Sequence, residues 1–369
     1  MSYKITIIAG ARPNFVKIAP IIHELEQVKS EGATINYRLV HTGQHYDKNM
    51  SGSFFNQLKI PQPHVNLNCY GGSHATQTAS IMVEFEKELL SNPANLVLVV
   101  GDVTSTMACA IVAQKLHTKV AHIEAGIRSD DWSMPEEINR LITDSITNYF
   151  FTTSETANKN LINNGISKDY IFFVGNTMID SLLKHRPHFF APPIWNKLNL
   201  IADNYMVLTL HRPANVDEEN RLKFTIDSIL AHSNNIPIIF PVHPRTKKVL
   251  ERLEISYPKL YCIDPLSYLE FNYLVENAKA VLTDSGGITE EASIQDIPCM
   301  TLRDNTERPE TITLGTNVLV GMDPIKIKPH LARLFKGQWK RGQQIPKWDG
   351  KASKRIVDVF LELQKSEDL

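Results

Sequence analysis

The chain has 369 residues, 43% of them apolar and 21% charged, which is length enough for roughly two domains with substantial cores. Its 39 Lys plus Arg stand against 40 Asp plus Glu, so no bulk field draws it to nucleic acid or an anionic membrane, and any anion must be caught by local groups. Twenty Pro and 17 Gly exclude a collagen-like or low-complexity chain.

The opening MSYKITIIAG reads as a strand, with no leader pattern, and no apolar run approaches the ~20 residues that span a bilayer. Cys69, Cys109, Cys262 and Cys299 are scattered without a C-x-x-C pair, which predicts reduced thiols in a cytoplasmic protein and no zinc site. Short, nearly all-apolar strands are expected at Lys4–Ala9, Tyr37–His41, Leu96–Val100, Val120–Ile123, Tyr149–Thr152 and Ile171–Val174. Helical spacing falls between them at Phe15–Lys29, His74–Leu90, Thr104–Leu116 and Glu136–Ser145. Apolar strands without alternation are those of a parallel sheet covered on both faces, the doubly wound α/β arrangement. His185–Asn204, with Pro187, Pro192 and Pro193, breaks the rhythm. Strands then resume at Met206–Leu210, Pro237–Phe240, Tyr261–Ile263, Ala280–Thr283 and Cys299–Thr301. Their helices are Asp217–His232, Arg245–Leu253, Tyr268–Asn277 and Ile288–Ile294, and the tail Ala352–Leu363 also has helical spacing. The expectation is α/β: two doubly wound, Rossmann-like domains facing a central cleft.

Ligands of such sheets sit at the carboxyl ends of the strands, so the residues just after each strand carry the functional argument. After the first strand, Gly10 permits a turn, and Arg12 and Lys17 put two cations at a helix start, although a solvated pair is the commoner fate of such residues. No G-x-G-x-x-G is present, and Lys17 is followed by Ile rather than Ser or Thr, so neither a dinucleotide fingerprint nor a Walker loop is formed. Asp102 follows the third strand, Glu124 the fourth, and Glu136 opens the next helix: three carboxylates at one sheet edge, raw material for acid–base chemistry. Asp102 has a competing role as a helix cap, and Ser133-x-x-Glu136 reads as a capping box, whereas Glu124 has no local backbone duty.

In the second half, His211–Arg212 and His243 follow strands and suit phosphate or leaving-group contact. Asp284–Ser285–Gly286–Gly287 links a strand to a helix and lets backbone N–H groups approach an anion. Glu290 and Glu291 sit one turn on, placed either for the positive helix end or for ribose hydroxyls, and Arg308 approaches from the following loop. Cations and a glycine cradle for a diphosphate, with carboxylates and no redox or metal motif, suit a nucleotide-sugar enzyme.

The strings GARPNFVKIAP, HTGQHYDKNM, GDVTST, HIEAGIRS, MPEEINRLITD, VGNTMID, LTDSGGITEEA and RDNTERPE, in this order, resemble the non-hydrolysing UDP-N-acetylglucosamine 2-epimerases over nearly the whole chain. The resemblance implies the two-domain glycosyltransferase-B fold, with residues 1–174 plus the C-terminal helix 352–369 as one domain and 175–351 as the UDP-binding other. It implies that Asp102, Glu124 and Glu136 form the acid–base set and that His211 lies near the leaving group. Arg12 and Lys17 match the family's first-domain cations, Gln44 and His45 line the site, and Ser285, Gly286, Glu291 and Arg308 match its UDP contacts. No cofactor or metal is implied; the partner is a UDP-sugar, with a homodimer as the assembly. One departure is His211–Arg212–Pro213–Ala214 where many members read His-Arg-Arg-Glu, in a region that binds an allosteric second UDP-N-acetylglucosamine in bacterial members.

The implied reaction accounts for the residue types. The sugar C2 hydrogen lies beside no ketone, so deprotonation is coupled to expulsion of UDP from C1, giving a 2-acetamidoglucal that is rehydronated from the other face as UDP re-adds. The rivals are a hydrolysing epimerase, disfavoured by Gln44–His45 and Glu124–Ala125–Gly126, and an epimerase of UDP-diacetamido-uronic sugars with the same chemistry. A glycosyltransferase of the same fold would not require three clustered carboxylates, and a non-catalytic UDP-sugar-binding protein would not need Asp102 and Glu124.

Overall fold

The computed structural model describes residues 2–44, 52–242 and 244–367, and the chain divides into two units, Met1–Ser181 with Pro346–Leu369 and Leu182–Ile345. In the first unit the described residues form a parallel sheet of β1 (Tyr3–Ala9), β2 (Ile35–His41), β3 (Val65–Asn66), β4 (Leu96–Val100), β5 (Lys119–Ile123), β6 (Tyr149–Thr152) and β7 (Ile171–Phe173), in the order β3-β2-β1-β4-β5-β6-β7. Every residue of β4 is buried because each of its faces has its own core. Val97 and Val99 pack with Ile81, Phe85 and Cys109 of the helices His74–Ser91 and Thr104–Lys115. The opposite face is that of Phe151, whose ring meets Phe360 of the C-terminal helix Ala352–Glu367 at 5.5 Å. Burying both faces leaves no position for a polar alternation, which is why the strands read as unbroken apolar runs.

The second unit repeats the plan with β8 (Met206–Thr209), β9 (Ile238–Pro241), β10 (Leu260–Ile263), β11 (Ala280–Thr283), β12 (Cys299–Thr301) and β13 (Asn317–Leu319), in the order β10-β9-β8-β11-β12-β13. Met206 and Leu208 enter a core with Phe240, Leu282 and Leu331, while the intervening Val207 joins Tyr205, Ile239 and Leu274 on the other face. Each unit is thus the doubly wound domain expected from the sequence. Strand order reverses between β1 and β4 in one sheet and between β8 and β11 in the other, and the loops leaving those strands diverge to make room for a ligand. No helix among the described residues is long and apolar enough to cross a membrane.

Several elements are not anticipated by periodicity. The edge strands β3 and β13 are two and three residues long and draw their register from β2 and β12. The helices Gly52–Leu58, Glu155–Asn163, Thr177–His185 and Ile327–Phe335 likewise lie in stretches read as connections. Residues 175–181 pack with the first unit rather than opening the second. Asp180 is the reason: its carboxylate accepts from the Ala352 and Ser353 amides at 3.1 and 2.7 Å, capping the C-terminal helix. The Pro-rich stretch after His185 is anchored through Trp195, whose ring meets Tyr205 and Tyr273 edge-on at 5.7 and 5.2 Å.

Candidate active site

The loop after β1 is shorter than expected, because the helix begins at Arg12 rather than near Phe15. Asn14 supplies the turn, its Oδ1 accepting from the Gly10 and Ala11 amides at 3.0 and 2.9 Å. A Cβ on Gly10 would collide with Ser105 Oγ, so glycine is required here by close approach. Arg12, half-buried, is the first residue of the helix Arg12–Ser30. Gln44 supplies a cap that the helix Thr104–Lys115 lacks at its own Val103: Gln44 Oε1 accepts from the Ser105 amide at 2.9 Å and from its hydroxyl at 2.7 Å. His45 lies outside the described residues.

The carboxylates take partners that overturn both capping expectations. Asp102 does not cap the following helix; its Oδ2 accepts from Arg140 Nε and Nη2 at 3.1 and 2.6 Å. The Ser133–Glu136 capping box is absent, since Ser133 Oγ donates to Asp131 and Met134 is the N-cap of the helix Pro135–Ile146. Glu136 is half-buried in that helix's first turn and makes no hydrogen bond or ion pair with a described residue. Its neighbour Glu137, which sequence reasoning passed over, is buried and accepts from the Ser129 amide at 2.9 Å and from Arg140 Nη1 at 2.6 Å. Arg140 therefore bridges Asp102 and Glu137, and the spacing Glu137-x-x-Arg140 on one helical face was the available signal.

Glu124 directly follows β5 with φ 68°, a left-handed backbone that costs a non-glycine residue on the order of 1–3 kcal/mol and persists only where surroundings enforce it. Its Oε2 receives Lys17 Nζ at 2.7 Å, with the side chains only 12% and 2% exposed. Gly101, at φ 68°, lies against both: a Cβ there would stand 3.3 Å from Lys17 Nζ and 3.8 Å from Glu124 Oε2. The ends of β1, β4 and β5 thus bring Lys17, Glu124 and the Gly101–Asp102 turn together. Lys17, read as a cation for an anionic ligand, forms an ion pair with Glu124 here.

In the second unit Asp284 organises the loop after β8. It is fully buried and accepts from the His211 and Arg212 amides at 3.1 and 3.0 Å, from Asn215 Nδ2 at 3.1 Å, and meets His211 Nδ1 at 2.7 Å. Burial pushes the Asp284 carboxyl up, but these donors, His211 foremost, hold it below its usual range. Ser285 is the N-cap of the helix Gly286–Ile294 without a side-chain cap bond. A Cβ on Gly286 would meet Glu307 Oε2 at 3.7 Å, an ordinary contact. Gly287 follows in the same turn. His243 lies outside the described residues.

Arg303, Arg212 and Arg308 each meet a buried carboxylate. Arg303 forms a forked pair with Glu307 at 2.8 Å on each arm, and Arg212 reaches the same carboxylate at 3.4 Å and the Asp284 carbonyl at 3.2 Å. Arg308 pairs with Glu290, whose carboxylate was read as a ribose contact. Glu291 differs. Burial raises it, and neighbouring Glu290 adds to the rise, against hydrogen bonds from Tyr268 and Asn272, leaving its carboxyl pushed up to about 7. Tyr268 donates to Glu291 Oε1 at 2.9 Å. Glu307, Arg303 and Tyr268 were not singled out as site residues from sequence, and Asp284 only as part of the anion-approaching string.

The profile of the UDP-N-acetylglucosamine 2-epimerases matches residues 27–361. The chain belongs to that family. This epimerase-family chain is 42% identical to a UDP-N-acetylglucosamine 2-epimerase of Methanocaldococcus jannaschii, across 97% of this chain and 98% of the relative. It is 40% identical, across 98% of itself and all of the relative, to a UDP-2,3-diacetamido-2,3-dideoxy-D-glucuronate 2-epimerase of Pseudomonas aeruginosa. Among solved structures, the Methanocaldococcus jannaschii UDP-GlcNAc 2-epimerase in complex with UDP-GlcNAc and UDP superposes with a TM-score of 0.88 at 42% identity, covering 97% of this chain and 99% of that one.

Proposed function

We propose that this family member interconverts UDP-N-acetylglucosamine and UDP-N-acetylmannosamine without hydrolysis. The observation that carries the reading is the convergence of Lys17, Glu124 and the Gly101–Asp102 turn at the ends of neighbouring strands, beside the point where strand order reverses. A carboxylate of this set takes the C2 proton; the C–H electron pair becomes the C1=C2 bond, and the C1–O pair leaves with UDP. The 2-acetamidoglucal then receives a proton at C2 on the opposite face as UDP re-adds to C1. A proton leaves and one returns, so the overall change requires no oxidant or reductant. Asp102 and Glu124, with Glu136, are the acid–base groups, and His211 faces the leaving group. Arg12, Lys17, Arg212, His243 and Arg308 meet the diphosphate, with Ser285, Gly286 and Gly287 at the helix start; Glu291 takes the ribose, and Gln44 and His45 line the sugar. A dimer of identical chains in the cytoplasm completes the reading, and light scattering after size exclusion checks the dimer.

The 40% relative acting on a UDP-diacetamido-uronic sugar favours a second substrate for the same chemistry. Incubating the chain with each UDP-sugar in D₂O separates the readings. Deuterium at C2 of both epimers from UDP-N-acetylglucosamine supports the proposal. Turnover confined to the diacetamido-uronate would reassign the substrate, and free N-acetylmannosamine as main product would overturn the non-hydrolysing route.

A further inference from the structure

The string His122–Ile123–Glu124 contains a residue that the proposed chemistry leaves unused. His122 lies on β5 and is fully buried. Its Nδ1 is 2.8 Å from Asp144 Oδ1, and its Nε2 is 2.8 Å from the Gly101 carbonyl oxygen. A carbonyl oxygen only accepts, so Nε2 carries a proton. Asp144 is an acceptor as well. Its other oxygen takes the Gly126 amide at 3.0 Å and Arg128 at 2.6 Å, donors that favour the ionised carboxylate. Nδ1 must then carry a proton too. A neutral imidazole has one N–H and would set its lone pair against one of the two oxygens.

We infer that His122 is a positioning residue whose imidazolium, with both ring nitrogens protonated, pins the Asp102 turn to the Glu124 turn. The Gly101 N–H already donates to the Ile123 carbonyl at 3.0 Å, and its C=O accepts from His122, so the end of β5 grips this glycine by both polar atoms. Through Asp144 the same imidazolium reaches the Gly126 amide, two residues past Glu124. The two carboxylate-bearing turns are therefore set relative to each other by one buried cation. Its kinetic consequence rests on the proposed roles of Asp102 and Glu124; its protonation does not.

Full-length chain labelled with ¹⁵N-histidine is the material for the test, with His122→Gln assigning the resonances by difference. At pH 7 both ring nitrogens of His122 should be protonated, with two ring N–H signals slowed in exchange by burial. A single protonated nitrogen overturns the inference, whether or not the chain epimerises anything. In kinetics, His122→Gln and Asp144→Asn should each lower kcat about ten-fold while KM stays within about two-fold, because displaced catalytic groups lose rate before binding. If His122→Gln does not fold, Asp144→Asn carries this arm. A folded variant with wild-type kcat overturns the positioning role, whereas an inactive wild type counts against the proposed function alone.

Discussion

The two units share a doubly wound plan and both pair buried carboxylates with cations, but the second also holds one, Glu291, that is raised instead. In the first, Asp102, Glu124, Glu137 and Asp144 each lie against a cation within 2.7 Å. In the second, Glu291 is buried beside another carboxylate and a tyrosine hydroxyl, and is pushed up to about 7. Asp102 and Glu124 follow strands, whereas Glu137, Asp144 and Glu291 lie on helices. Burial foremost, with Glu290 beside it, raises the Glu291 carboxyl.

Breaking the pairing in the first unit should give the largest effect. Arg140→Ala leaves two carboxylates without their bridging cation and should cost about 3–5 kcal/mol in chemical denaturation, as for other severed buried pairs. A loss below about 1 kcal/mol would mean that solvent replaces the guanidinium without penalty.

Glu291 gives the second unit a pH dependence of its own. With a folded carboxyl near 7 against about 4.5 unfolded, Glu291 binds more protons in the folded state between those values. Stability is therefore lost as pH rises from 4.5 to 7, by up to about 3 kcal/mol. Glu291→Gln should remove that slope, so its melting temperature should exceed wild type at pH 8 and approach it at pH 4.5. Parallel curves for the two proteins would refute the raised carboxyl.

Asp102→Asn asks whether the paired carboxylates of the first unit react. It should lower kcat at least ~10²-fold with UDP affinity retained. Near-normal turnover would reduce the Arg140–Asp102 pair to a structural tie. The smallest effect is expected at Arg308→Ala, with UDP binding weakened about ten-fold by calorimetry. Because this change also strips Glu290 of its partner, the double variant Arg308→Ala with Glu290→Gln should bind equally weakly; restored affinity would show that the loss came from the stranded carboxylate.

The amino-acid sequence alone determined the doubly wound class and the places where chemistry gathers. Runs such as Leu96–Val100 admit few other readings, and Gly10, Asp102, Glu124, His211 and Ser285 each follow such a run. The short edge strands stayed illegible because they are templated by neighbours rather than by their own pattern. Pairing was decided by tertiary structure. Lys17 meets Glu124 across 107 positions and Arg140 meets Asp102 across 38, contacts that exist because β1, β4 and β5 lie side by side, with the helix Pro135–Ile146 packed against β5 and the helix Thr104–Lys115. Parallel strands become neighbours through crossovers, so adjacency at the sheet edge follows strand order and is invisible in spacing along the chain. The near balance of 39 cations against 40 anions is consequently met locally as well, by pairs that only the folded sheet brings within reach.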